Sequence, residues 1–175
     1  MEKELLKRIL SSLLLLPLVF FFIIQGFFLF KIFILIIISI TLYEWHKLSF
    51  KKIYYIPGVI FIFFSFYTFY FLRNEGDFKF FLLVILTCIS TDVGGYIFGK
   101  IFKGPKLTKI SPNKTYVGAV GSFLLSIIVA IVYLNNLSFL ALADDDDQLG
   151  LQTFSLVLII SLISQIGDIT ISFFK

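Results

Sequence analysis

The sequence predicts an all-α fold, a polytopic transmembrane helical bundle of about six spans. Three observations carry this expectation. Hydrophobic residues make up 59% of the 175 and mean hydropathy reaches +1.01, beyond the range of soluble domains. Apolar runs long enough to cross a bilayer follow one another with only short connections between them. The basic residues gather in alternate connections, as the positive-inside rule requires.

Each crossing needs roughly 17 to 25 apolar residues. The stretch Ile9 to Tyr43 is too long for one helix and is punctuated by Gln25-Gly26, so it reads as a tight helical hairpin with arms Ile9–Ile24 and Phe27–Tyr43. Lys3, Lys7 and Arg8 ahead of the first arm resemble a signal-peptide start. No Ala-x-Ala-like cleavage site follows, so it is read as a retained span. A third span covers Ile53–Leu72, with Pro57-Gly58 in its first turns, where proline is tolerated. The fourth covers Phe78–Phe98, the fifth Tyr116–Leu134 and the sixth Leu151–Phe174. No soluble domain or repeat interrupts them, and residues 1–175 read as one membrane domain.

With six spans, Lys3, Lys7, Arg8, Lys47, Lys51, Lys52 and the lysines from Lys100 to Lys114 share one side. That side is expected to be cytoplasmic and to hold both termini, giving a multi-pass protein of the cytoplasmic (inner) membrane. The net charge of +4 therefore reports topology, and nucleic acid is excluded as a partner. Cys88 is the single cysteine and lies inside a span, a small core side chain with no disulfide to form. The run Asp144–Asp147 reads as a solvated outside loop, and Trp45 and His46 as headgroup-level residues.

Two acids fall within the spans. Asp92 shares a helical face with Gly95 and Gly99, at i, i+3 and i+7, so small residues flank it and let another backbone or a ligand come close. Asp168 lies on a stripe with Ser161, Ser164, Gln165 and Ser172, which must face the bundle interior. Gly118, Ser122 and Ser126, with Gly121 beside them, give the fifth span a smooth packing face. Between spans four and five, Ser111-Pro112 reads as an N-cap followed by a first helical residue. The N–H groups of Asn113, Lys114 and Thr115 would then open toward an anion, with the Lys114 charge and the Thr115 hydroxyl beside them. Two carboxylates beside such a loop suit a Mg²⁺-bound polyphosphate. From pattern alone, two other readings stand equally: structural polar residues bonded across helices, and a lysine loop that only marks topology and attracts lipid headgroups.

Ser90–Gly99, Ser111–Gly118 and Gly167–Lys175 together resemble the phosphatidate cytidylyltransferase (CDP-diacylglycerol synthase) family. Its members read S-x-D-x-x-A/G-Y-x-x-G, S-P-x-K-T-x-x-G and G-D-L-x-E-S-x-x-K-R, in the same order and membrane setting. The resemblance implies transfer of a cytidylyl group from CTP to phosphatidic acid, giving CDP-diacylglycerol and pyrophosphate with Mg²⁺ as cofactor. It implies Asp168 and Asp92 as metal ligands, Lys114 as a catalytic cation, and Ser111, Pro112, Asn113, Lys114, Thr115 and Tyr96 as substrate-binding residues. CTP, phosphatidic acid and the bilayer are the implied partners, with a homodimer left open. Ile171 stands where the family has the Glu of G-D-L-x-E-S. The family's later P-G-H-G-G-x-x-D-R-x-D signature is not in the 175 residues, so the chain is expected to be the N-terminal part of such an enzyme and inactive alone. The alternatives are a CTP-dependent polyprenol or lipid kinase, a transporter-like protein and a non-catalytic remnant.

Overall fold

The computed structural model describes residues 15, 17–108, 111, 114–139 and 147–174. They form an all-helical protein: α1 (described over residues 17–25), α2 (Phe27–Ser49), α3 (Tyr55–Asn74), α4 (Phe78–Phe102), α5 (Tyr116–Phe139) and α6 (Asp147–Phe174). Helices α2 to α6 are each long and apolar enough to cross a membrane. The expected first span, Ile9–Ile24, lies mostly outside the described residues. The chain divides into two compact units, residues 1–76 and 77–175.

In the first unit, α1 and α2 are separated by a single non-helical residue, Gly26, at φ 62° and ψ −157°. That conformation is open to glycine and strained for other residues. The break leaves the Ile23 carbonyl near the end of α1, and the Arg73 guanidinium from the last turn of α3 donates to it at 3.0 Å while lying over the Phe30 ring. In an apolar setting an unsatisfied carbonyl costs several kcal/mol, so Arg73 is a helix-end cap as well as a loop charge. Helix α2 runs six residues beyond the expected Tyr43, because Glu44-Trp45-His46-Lys47 stays helical. The Trp45 indole lies flat on Gly58 and its N–H donates to the Tyr55 carbonyl at 3.1 Å. Helix α3 accordingly starts at Tyr55, slightly later than expected.

In the second unit α4 and α5 approach until backbone touches backbone. A Cβ at Gly94 would stand 2.6 Å from the Gly121 carbonyl oxygen, and one at Gly118 would stand 2.8 Å from that of Gly95. Between helices in lipid there is little hydrophobic driving force, so close van der Waals packing at small residues does the holding. The contact also lets the Ser122 hydroxyl donate to the Thr91 carbonyl at 2.7 Å. Thr91 in turn donates through its own hydroxyl to Ser161 Oγ at 2.9 Å, which ties in α6. All three of these residues are buried. Nearer the other end of the helices, Leu83, Ala130 and Val157 form a small apolar core with Phe80, Ile127 and Tyr133 packed against it. Helix α6 opens at Asp147, four residues before the expected Leu151, so the last aspartate of the acidic run is helical; Asp144, Asp145 and Asp146 lie outside the described residues.

The seam sets a testable contrast between two glycines. Gly94→Ala drives a methyl into backbone that cannot swing aside and is expected to destabilise the protein by about 1–3 kcal/mol. Around Gly167 nothing lies within 4 Å of a Cβ, and Gly167→Ala is expected to be neutral or stabilising by up to about 1 kcal/mol. Thermal unfolding of both variants in detergent micelles checks this, and equal behaviour would contradict the seam.

Candidate active site

The connection between α4 and α5 is folded onto the start of α5. Helix α4 ends at Lys103, which takes a left-handed conformation (φ 42°, ψ 45°) and turns the chain back. Residues 105–107 then pair antiparallel with 114–116: Tyr116 N donates to Pro105 O at 3.1 Å and Leu107 N to Lys114 O at 2.8 Å, around an isolated bridge between Lys106 and Thr115. Ser111 is buried, donates from its N–H to Thr108 Oγ1 at 3.1 Å, and accepts at its carbonyl from Lys114 N at 3.1 Å.

This corrects the expected helix start. Helix α5 begins at Tyr116, and Thr115 supplies the cap by accepting from Gly118 N at 3.0 Å. Ser111 is a turn residue instead, because the pairing with 105–107 keeps Lys114 and Thr115 out of the helix. The N–H of Lys114, expected to be free for an anion, is spent on Ser111, and that of Tyr116 on Pro105. Pro112 and Asn113 lie outside the described residues. What the loop does deliver is the Lys114 side chain. Its Nζ reaches across to Asp168 Oδ2 on α6 at 2.7 Å.

Lys114 and Asp168 belong to a cleft of about 220 Å³ between α4, α5, α6 and the loop. Asp92, Tyr96, Thr115 and Gln165 line it too, with Gly95 and Gly118 leaving space at the seam. The cleft lies at the lysine-loop ends of the helices. Thus the structure brings together five of the residues singled out from sequence, namely Asp92, Asp168, Lys114, Thr115 and Tyr96; Ser111 stands behind the loop and is not in the lining. Ser164 lies one turn from Asp168 on the same stripe of α6. Tyr96 is partnered by Lys100, whose Nζ donates to its hydroxyl at 3.2 Å and lies over the ring. Ile171, in the position of the family's Glu, is exposed and outside the lining. Gln165, Thr91 and Ser122 also line the cleft. The sequence pattern marks Gln165 as a stripe residue and Ser122 as a packing residue, and it does not single out Thr91.

Chemically the site is two carboxylates and one ammonium, with the ammonium paired to Asp168. With all three ionised the cleft carries a formal charge of −1, from two aspartates against one lysine. Among the described residues no group of three or more His, Cys, Asp or Glu converges, so they form no closed metal cage. Two carboxylates in an open cleft fit a hard cation that completes its shell with oxygens of a substrate.

A family model described as the cytidylyltransferase family matches residues 53–175. The chain is 34% identical over 143 residues to the phosphatidate cytidylyltransferase of Staphylococcus haemolyticus (strain JCSC1435), an alignment covering 80% of this chain and 52% of that protein. It is 33% identical over 145 residues to the protein of the same name from Staphylococcus aureus (strain COL), with the same coverage of each chain. The Staphylococcus epidermidis (strain RP62A) protein of that name is 32% identical over 143 residues, again covering 80% and 52%. The chain spans about half the length of the curated relatives it matches. No solved structure matches it. With the family match covering the loop, both aspartates and all of α4 to α6, the chain belongs to the cytidylyltransferase family.

Proposed function

We propose that this chain supplies the phosphate- and metal-binding cleft of a phosphatidate cytidylyltransferase, which transfers the cytidylyl group of CTP to phosphatidic acid in phospholipid synthesis. The observation that supports it best is the meeting of Asp92, Asp168 and Lys114 in one cleft at one end of three membrane-length helices. The family and the printed name of the relatives agree with that chemistry.

In the reaction a phosphate oxygen of phosphatidic acid attacks the α-phosphorus of CTP. A new P–O bond forms to the lipid phosphate as the bond to the α,β-bridging oxygen breaks, and pyrophosphate leaves with that electron pair. The reacting groups are all anions, so the barrier falls mainly through positioning and charge neutralisation. A cleft of formal charge −1 repels a bare triphosphate. The nucleotide must arrive with a counter-ion, and Asp92 and Asp168 are the residues that would hold it. Mg²⁺ bound there would neutralise phosphate charge and stabilise the leaving pyrophosphate. Lys114 then trades its Asp168 partner for a phosphate oxygen, a move its flexible stem allows. Tyr96 and Thr115 border the substrate, and the lipid reaches the cleft from the bilayer. The lysine-rich connection is cytoplasmic on this reading, with the N-terminus on the same side of the cytoplasmic membrane.

Asp168→Asn is expected to weaken Mg²⁺-dependent binding of radiolabelled CTP to the chain in micelles tenfold or more, about 1.4 kcal/mol. Equal CTP binding in Mg²⁺ and in EDTA would defeat the metal role. Because the Lys114–Asp168 pair is partly exposed, at 27% and 53% of the two side chains, Lys114→Met should cost less than about 1 kcal/mol of stability. Any larger loss of CTP binding in that variant then reports ligand contact rather than unfolding.

Orientation is tested separately. In a Cys88→Ser background, Lys106→Cys should react with an impermeant thiol reagent only after the cell is opened. Labelling of intact cells at that position would reverse the proposed topology.

A further inference from the structure

Among the polar side chains that line the cleft, one buried donor has no partner. Thr91 donates to Ser161, Ser122 to the Thr91 carbonyl, and Lys114 to Asp168. Tyr96 accepts from Lys100 and Thr115 from Gly118 N. The Gln165 side-chain nitrogen is fully buried and hydrogen-bonds to nothing. It lies in the lining three residues before Asp168 on α6, so it sits about 4.5 Å deeper along the helix axis. One turn deeper again, Ser161 is closed off by its bond to Thr91.

An unpaired amide N–H in a water-poor interior is costly, on the order of 1–3 kcal/mol. A glutamine kept at the floor of an open cleft is therefore explained if the ligand supplies the acceptor. The neighbours narrow the ligand's chemistry. The carboxylates of Asp92 and Asp168 can hold a cation, and Lys114 can meet an anion from the loop side. A donor below them suits an oxygen of that same anion, on its membrane-facing side.

We propose that Gln165 is a substrate-positioning residue whose amide N–H donates to a phosphate oxygen at the floor of the cleft. The oxygen belongs either to the nucleotide triphosphate or to the phosphate of the lipid. This inference rests on the nucleotidyl-transfer reading above. It adds a neutral contact that neither charge nor metal provides, one that orients the phosphate without changing the charge balance of the site.

The test uses Gln165→Met, which keeps length and volume and removes the donor, with Gln165→Asn as the shorter amide. Binding to the chain in micelles is measured with three probes: Mg²⁺·CTP, a short-chain phosphatidic acid, and inorganic pyrophosphate with Mg²⁺. Gln165→Met should raise the unfolding temperature without ligand, since the orphan donor is gone. It should also weaken about tenfold whichever probe the amide contacts. Weakening with CTP and pyrophosphate alone assigns the oxygen to the nucleotide, and weakening with phosphatidic acid alone assigns it to the lipid. Gln165→Asn should recover part of the loss, which a packing role would not produce. If Gln165→Met folds and binds all three probes within twofold of the wild type, the proposal is overturned and the functional reading survives. If the wild-type chain binds none of the three, both fall together.

Discussion

The nearness of the α4 and α5 backbones is the constraint on which the second unit depends. Gly94 lies under the Gly121 carbonyl and Gly118 under that of Gly95, a separation available only where side chains are absent. In lipid such packing has to substitute for the hydrophobic effect. It also fixes register, and register does the rest. With these glycines in contact, Ser122 falls opposite the Thr91 carbonyl and Thr115 beside Gly99. The loop can then fold back so that 105–107 pair with 114–116, and Lys114 is carried over to α6. A single methyl in the seam would act on the cleft as well as on stability.

The second constraint is the cost of polar groups away from water. Several hydroxyls in the unit avoid it by bonding within their own helix, as Thr87 does to Leu83 O and Ser126 to Phe123 O. Others bond across helices, as Thr91 does to Ser161. The cleft departs from this economy. Two carboxylates and one lysine line it, the lysine paired with Asp168 alone, and one amide N–H has no acceptor. Buried networks that are only partly satisfied are unfavourable unless something completes them. The unsatisfied part of this one is concentrated in the cleft, and that concentration marks the site.

Much of this was legible in the sequence. The small residues of α4 and α5 and the stripe on α6 recur at helical spacing, so period alone placed Asp92 and Asp168 on inward faces. The helix ends were less legible. Ser111-Pro112 carries the local signature of an N-terminus, yet the pairing of 105–107 with 114–116 is non-local and outweighs it, moving the start to Tyr116. The capping role of Arg73 is not legible locally, because its partner, the Ile23 carbonyl, is fifty residues away. Helix α2 ran past Tyr43 because Trp45 found Gly58, a contact that hydropathy does not encode. Gln165 was visible as a stripe residue, but its missing partner is a property of three dimensions.

Along α6 the stripe is graded, and the grading connects stability to function. Ser161 accepts from Thr91 and so ties α6 to α4. Gln165 keeps a donor unused, and Asp168 shares a lysine that a phosphate could claim. Toward the loop, the same face passes from tying the helices together to waiting for a ligand. A molecule bound between Asp92, Lys114, Gln165 and Asp168 would supply the missing partners of α6 and so complete its docking onto α4 and α5. Binding and helix packing are then one equilibrium. Any phosphate ligand that occupies the cleft must stabilise this unit, by RT ln(1 + [L]/Kd), or about 2.7 kcal/mol at a hundredfold excess over Kd.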